Sequence, residues 1–100
     1  MRNIKILAIG TNEQIMETIL RLINQNPMWQ GDIALSSQTA GMMLNAPNYD
    51  LILLGSGSDE SEIRLILKDR MLNIPVVLHY GGGSGLLLCE INQALKPSSI

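Results

Sequence analysis

The chain has no phenylalanine, one tryptophan, two tyrosines, one histidine and one cysteine in 100 residues. A single thiol, Cys89, cannot close an internal disulfide and fits a reducing compartment. Charge is scarce too: Asp, Glu, Lys and Arg make up 16% of the chain, for a net charge of −2 with no basic cluster. That balance argues against a nucleic-acid surface. No apolar run approaches the ~20 residues that a membrane-spanning helix needs. The opening MRNIKILAIGTNE places basic residues before an apolar run, as a signal peptide does. The run stops too early for an h-region, and no small-residue cleavage site follows. The expectation is a cytoplasmic protein without a membrane or nucleic-acid partner, for which no cofactor and no metal is indicated.

Hydrophobic residues reach 46% of the chain, enough for one compact domain over residues 1–100 that needs neither disulfide nor metal. Without phenylalanine the core must come from Leu, Ile, Val and six methionines, which fill irregular gaps. The organising stretch is Tyr49–Gly55, YDLILLG. Its run of Leu51, Ile52, Leu53 and Leu54 shows no polar alternation, as suits a strand buried on both faces.

Around it the sequence predicts alternating strands and helices. Lys5–Ile9, with Ile4 before it, is a first strand ending at Gly10. Thr11 caps a helix with Gln14 in the capping-box position, and Ile15, Ile19, Leu20 and Ile23 form its apolar stripe. Asn26-Pro27 ends that helix. Gln30–Ser36 reads as an edge strand, and Ser36-Ser37 precedes a short helix, Gln38–Leu44, with Ala40, Met43 and Leu44 inward. Gly41 weakens that helix by about 1 kcal/mol relative to alanine. Asn45 to Asn48 is a turn. After the central strand, Ser58 and Asp59 compete to cap a helix with an acidic first turn (Asp59, Glu60, Glu62), a stripe of Ile63, Ile66, Leu67 and Met71, and an end at Asn73. Val76–Tyr80 is a last strand. A three-glycine loop and Ser84 lead to a final helix, Leu86–Leu95, presenting Leu87, Leu88, Ile91 and Leu95. Four strands and four helices in β-α alternation specify an α/β fold, a three-layer α/β/α doubly wound parallel sheet.

The segments IKILAIGTNEQ, YDLILLGSGSDES and NIPVVLHY make nearly the whole chain resemble the receiver domain of bacterial response regulators, a CheY-like, flavodoxin-like family. The resemblance implies a strand order of 2-1-3-4, shortened from the family's 2-1-3-4-5 by one β-α unit. Receivers accept a phosphoryl group on an aspartate at the end of the third strand, where this chain has Gly55. Their magnesium-binding acids follow the first strand, where Gly10, Thr11 and Asn12 stand with Glu13 nearby. A threonine or serine ends their fourth strand, against His79 and Tyr80 here, and the unit that carries their lysine is missing. Phosphoryl transfer needs a nucleophile and neutralisation of the phosphate oxygens. The expectation is therefore a degenerate receiver that cannot be phosphorylated in the family's way. The small IIB domain of sugar phosphotransferase systems is similar in size, but the cysteine it carries after the first strand is absent.

Three functional readings follow. The first is a non-catalytic module for protein contact in signalling or regulation. Val76, Val77 and Leu78 would form an uncharged sheet edge and Leu86 would add apolar surface, a face for a second copy or another protein. The second is a small-ligand or phosphate site built from Thr11, Asn12, Ser56, Gly81, Gly82, Gly83 and Ser84, since glycine loops entering helices can hold anions. That loop has neither the lysine of a P-loop nor a dinucleotide spacing. The third is a small enzyme using His79 as a base. Trp29 reads as a loop anchor or a contact residue, and Cys89 as an unreactive helix residue.

Overall fold

The computed structural model describes residues 4–45, 49–55, 57–79 and 83–95. Its elements run β1 (Ile4–Ile9), α1 (Glu13–Asn24), β2 (Trp29–Ala34), α2 (Ser37–Met43), β3 (Leu51–Leu54), α3 (Glu60–Asp69), β4 (Val76–Leu78) and α4 (Gly83–Leu95). The strands form one sheet in the order β2-β1-β3-β4. All three pairings are parallel, with Ile6 level with Leu51 and Ile52 level with Val76. This is the doubly wound α/β arrangement in the order expected from the sequence. The predicted turn residues Ala46, Pro47 and Asn48 lie outside the described residues, as does Tyr80.

Parallel strands joined by crossover helices have both faces covered, so alternate residues of one strand enter different cores. Ile6, Ala8, Leu51 and Leu53 pack with Met16, Ile19 and Ile23 of α1 and with Leu87 and Ile91 of α4. Leu7, Ile9, Ile52 and Leu54 pack with Ala40 of α2, Leu44, and Ile63 and Leu67 of α3. The layers are thus α1 and α4, the sheet, then α2 and α3. No helix among the described residues is long and apolar enough to cross a membrane.

Several expectations need correction at residue level. Asn12, not Thr11, caps α1: its Oδ1 accepts the Ile15 N–H at 3.0 Å. The inward stripe is Met16, Ile19 and Ile23, with Ile15 52% exposed. Asp59 is the cap of α3, accepting the Glu62 N–H at 3.1 Å. The helix ends at Asp69, and Met71, with φ 56°, leaves the predicted stripe and stands 91% exposed. Trp29 opens β2 and is buried in the core rather than held in a loop. α4 begins at Gly83, so the last of the three glycines belongs to the helix, and Leu88 faces outward.

A polar cluster ties the strand starts together. The Tyr49 hydroxyl donates to Asp32 Oδ2 at 2.7 Å, the Lys5 N–H donates to Asp50 Oδ2 at 2.9 Å, and the Lys5 ammonium lies 5.5 Å from the Tyr49 ring centre. Burial, then the hydrogen bond and negative charge of Asp32, push the Tyr49 hydroxyl well above its ordinary pKa of 10.0. A raised folded-state pKa adds stability that is complete below the unfolded value and fades above it. The unfolded tyrosine ionises there while the folded one holds its proton.

Two predictions follow from these contacts. In urea unfolding, Met16→Ala destabilises by ~2–5 kcal/mol, as truncation of a fully buried side chain does, whereas Ile15→Ala stays near 1 kcal/mol or below. Between about pH 9 and 11 the wild-type chain loses stability more steeply than Tyr49→Phe, because only the former carries the shifted proton.

Candidate functional site

The functional rim of an open parallel sheet is the edge at the carboxyl ends of its strands. Here the backbone ladder carries one residue past β1, β3 and β4. The Gly10 N–H donates to Ala34 O at 3.1 Å, the Gly55 N–H to Ile9 O at 2.7 Å and the His79 N–H to Leu54 O at 2.8 Å. Gly10, Gly55 and His79 therefore stand in one row.

Met16 covers part of that row. A Cβ on Gly10 would lie 2.6 Å from Met16 Sδ, and one on Gly55 would lie 3.5 Å from the same atom. The thioether of a fully buried side chain thus sits over the junction of β1 and β3. A methyl group at Gly10 pushes the Met16 thioether aside, whereas one at Gly55 meets only ordinary contacts. Among the described residues no group of three or more His, Cys, Asp or Glu gathers as metal ligands.

On the β4 side the buried His79 shares its Nδ1 with Glu90 Oε1 of α4 at 2.6 Å. A carboxylate on one ring nitrogen orients the other as a base or acceptor. Glu90 is the only side-chain partner of the ring among the described residues. Cys89 is exposed.

On the other side of β3 the loops after β1, β2 and β3 enclose a cavity of about 310 Å³, lined in part by Thr11, Ser36, Ser37, Gln38, Asp59 and Glu62. Gly57, in the same lining, has φ +84°, and Thr11 fills the space where a Cβ would project. A shallower groove of about 440 Å³ continues between α2 and α3 as far as Arg70, whose Nη1 donates to Gly41 O at 2.6 Å.

The residues proposed from sequence as an anion site divide accordingly. Thr11 lines the cavity. Asn12 spends its side-chain oxygen on the α1 cap. Gly83 and Ser84 lie in the first turn of α4 instead of in a loop, a correction to the expected glycine loop. Ser56, Gly81 and Gly82 lie outside the described residues. Sequence reading missed Met16, Ser36, Ser37, Gln38 and Glu62. The only available signal was their place in or beside loops that leave neighbouring strands.

With this geometry in view, solved structures supply the comparison. The Francisella response regulator 1452 receiver domain superposes with a TM-score of 0.68 at 20% identity, covering 92% of this chain and 78% of that one. The Vibrio cholerae chemotaxis protein CheY4 superposes with a TM-score of 0.67 at 12% identity, covering 93% of this chain and 99% of that one. The fold is that of a receiver domain. A fusion carrying the trimeric coiled coil of yeast Spc42 also matches, with a TM-score of 0.78 at 20% identity, over 95% of this chain and 80% of that one. An α/β sheet cannot superpose on a coiled coil, so that likeness concerns the rest of the fusion. No protein-family model matches the chain, and no curated protein matches it in sequence.

The Met16 contacts separate the two rim glycines experimentally. Gly10→Ala forces a buried side chain aside and destabilises by ~1–3 kcal/mol. Gly55→Ala stays within about 1 kcal/mol of wild type, since its backbone is not in the left-handed region. Thermal or urea unfolding of both variants gives the comparison.

Proposed function

We propose that this chain is a non-catalytic, receiver-like interaction module, working in cytoplasmic signalling or regulation and pairing with a second copy of itself through β4 and α4. The observation that carries the reading is the composition of the β4 edge. Val76 and Val77 are half-buried, Leu78 is 37% exposed, and Leu86 at the start of α4 is 46% exposed. No Asp, Glu, Lys or Arg occurs between Arg70 and Glu90. Edge strands are normally blunted by charge, and the opposite edge, β2, carries Asp32. A twofold axis brings a patch against its own copy, where like charges would repel. An uncharged apolar edge suits that symmetry.

The non-catalytic half of the reading is supported by Met16. Its thioether occupies the rim beside Gly10 and Gly55, the positions at which the resemblance to receivers leads one to look for carboxylates. A thioether offers neither a nucleophile for phosphoryl transfer nor a hard ligand for magnesium. His79, held by Glu90 against α4, serves in this reading as a tie between β4 and its covering helix.

Light scattering on a sizing column at about 50 μM chain tests the proposal, because a Kd of micromolar order (~8 kcal/mol) leaves mostly dimer at that concentration. The wild-type chain elutes as a dimer, while Leu78→Lys and Leu86→Glu elute as monomers with unchanged circular dichroism. Incubation with a small acyl phosphate and magnesium adds no phosphoryl mass. A wild-type monomer, or a labelled aspartate, refutes the respective half.

A further inference from the structure

The cavity beside Met16 lies where the strand order reverses. The chain leaves β1 toward β2 and leaves β3 toward β4, so the loops diverge and open a crevice between them. Its volume of about 310 Å³ falls at the lower end of the range for small-ligand sites.

The lining dictates what would fit. Ser36 donates its hydroxyl proton to Thr39 Oγ1 at 3.0 Å, and Ser58 donates its own to Gly55 O at 2.5 Å. Ser36 Oγ also accepts the Thr39 N–H at 3.1 Å, so the two oxygens offer the cavity their remaining lone pairs and no proton. Asp59 and Glu62, as carboxylates, also accept without donating. Thr11 and Gln38 add groups that both donate and accept, and Ile9 and Leu35 supply an apolar strip. Acceptors thus outnumber donors, and among the described residues the lining contains no Lys, Arg or His. Two carboxylates repel an anion. The amino-terminal ends of α1 and α3, capped by Asn12 and Asp59, turn their partial positive charges to this rim and offset part of the charge of the two carboxylates. A neutral molecule rich in O–H donors meets all of these conditions.

We propose that this cavity binds a small, neutral, hydroxyl-rich molecule of about monosaccharide size. Its hydroxyls donate to Asp59, Glu62 and the committed serine oxygens, accept from Gln38 and Thr11, and its C–H face lies on Leu35. The site is independent of the β4 edge, so failure of one proposal leaves the other standing.

The test uses the full chain in ligand-observed NMR and thermal unfolding. The probes are neutral monosaccharides and alditols, spermidine as an amine, and inorganic phosphate. At least one neutral polyol is expected to show saturation transfer and to raise Tm with the logarithm of its concentration, while spermidine and phosphate do neither. Gln38→Trp and Glu62→Ala, both at exposed positions, weaken that binding about tenfold or more with circular dichroism unchanged. A response confined to spermidine or to phosphate overturns the proposal. So does silence from every polyol, or polyol binding undiminished in both variants.

Discussion

Two central strands buried on both faces govern this architecture. Every residue of β3, and Ile6 to Ile9 of β1, is inaccessible to water. Such strands cannot sit at an edge or leave a face open, because each buried Val, Leu or Ile side chain is worth ~1.5–3 kcal/mol over its exposed state. Helices must therefore cover both sides. α1 serves one side and α2 and α3 the other, as crossovers of constant handedness require. With β4 placed beside β3, the remaining uncovered strip lies on the α1 side, and α4 takes it with Leu87 and Ile91. The chain's last helix thus turns back over the sheet, and β4 keeps one free edge.

The same packing demand explains the chemistry of the rim. α1 lies low enough on the sheet for Met16 to reach past the end of β1 and fill the space above Gly10 and Gly55. An unbranched thioether adapts to such a gap, and a side chain at position 10 would push it aside. A carboxylate at position 10 would have to displace that buried side chain, and one at either glycine would find an apolar neighbour. Packing and acid chemistry compete for the same volume, and in this chain packing occupies it. A shared fold is consequently a poor guide to a shared reaction, since the reaction belongs to the few rim positions that the core does not dictate.

How much of this was legible in the sequence follows from the range of the forces involved. The uninterrupted run Leu51–Leu54 and the acidic start of α3 are local signals, and both were readable. The expected stripe of α1 kept Ile19 and Ile23 but took Met16 in place of Ile15, and the cap was assigned to Thr11 because Thr11 and Asn12 both have capping side chains. Only the geometry decides which oxygen reaches the Ile15 N–H. Met71 was placed in a helix that ends two residues earlier, at Asp69, after which it takes a left-handed conformation rare for a non-glycine residue. The cavity was illegible for another reason. Its lining comes from three loops far apart in sequence, joined only by strand order, and its acceptor-rich character depends on hydroxyl protons committed elsewhere.

The sheet's two sides of β3 therefore carry different physical characters. Toward β1 and β2 the rim forms a half-open crevice with Ile9 and Leu35 in its lining and Asp59 and Glu62 in its wall. Toward β4 and α4 the chain runs without a formal charge from Met71 to Cys89. The first character suits a small molecule that enters a crevice and meets its side-chain oxygens. The second suits a flat partner that removes apolar surface and free backbone groups from water. A strand of three residues offers too few backbone hydrogen bonds to hold a partner alone, so an interface here needs the leucines of α4 as well. The His79–Glu90 contact fixes that helix to the strand it flanks, so that edge and helix present themselves as one surface.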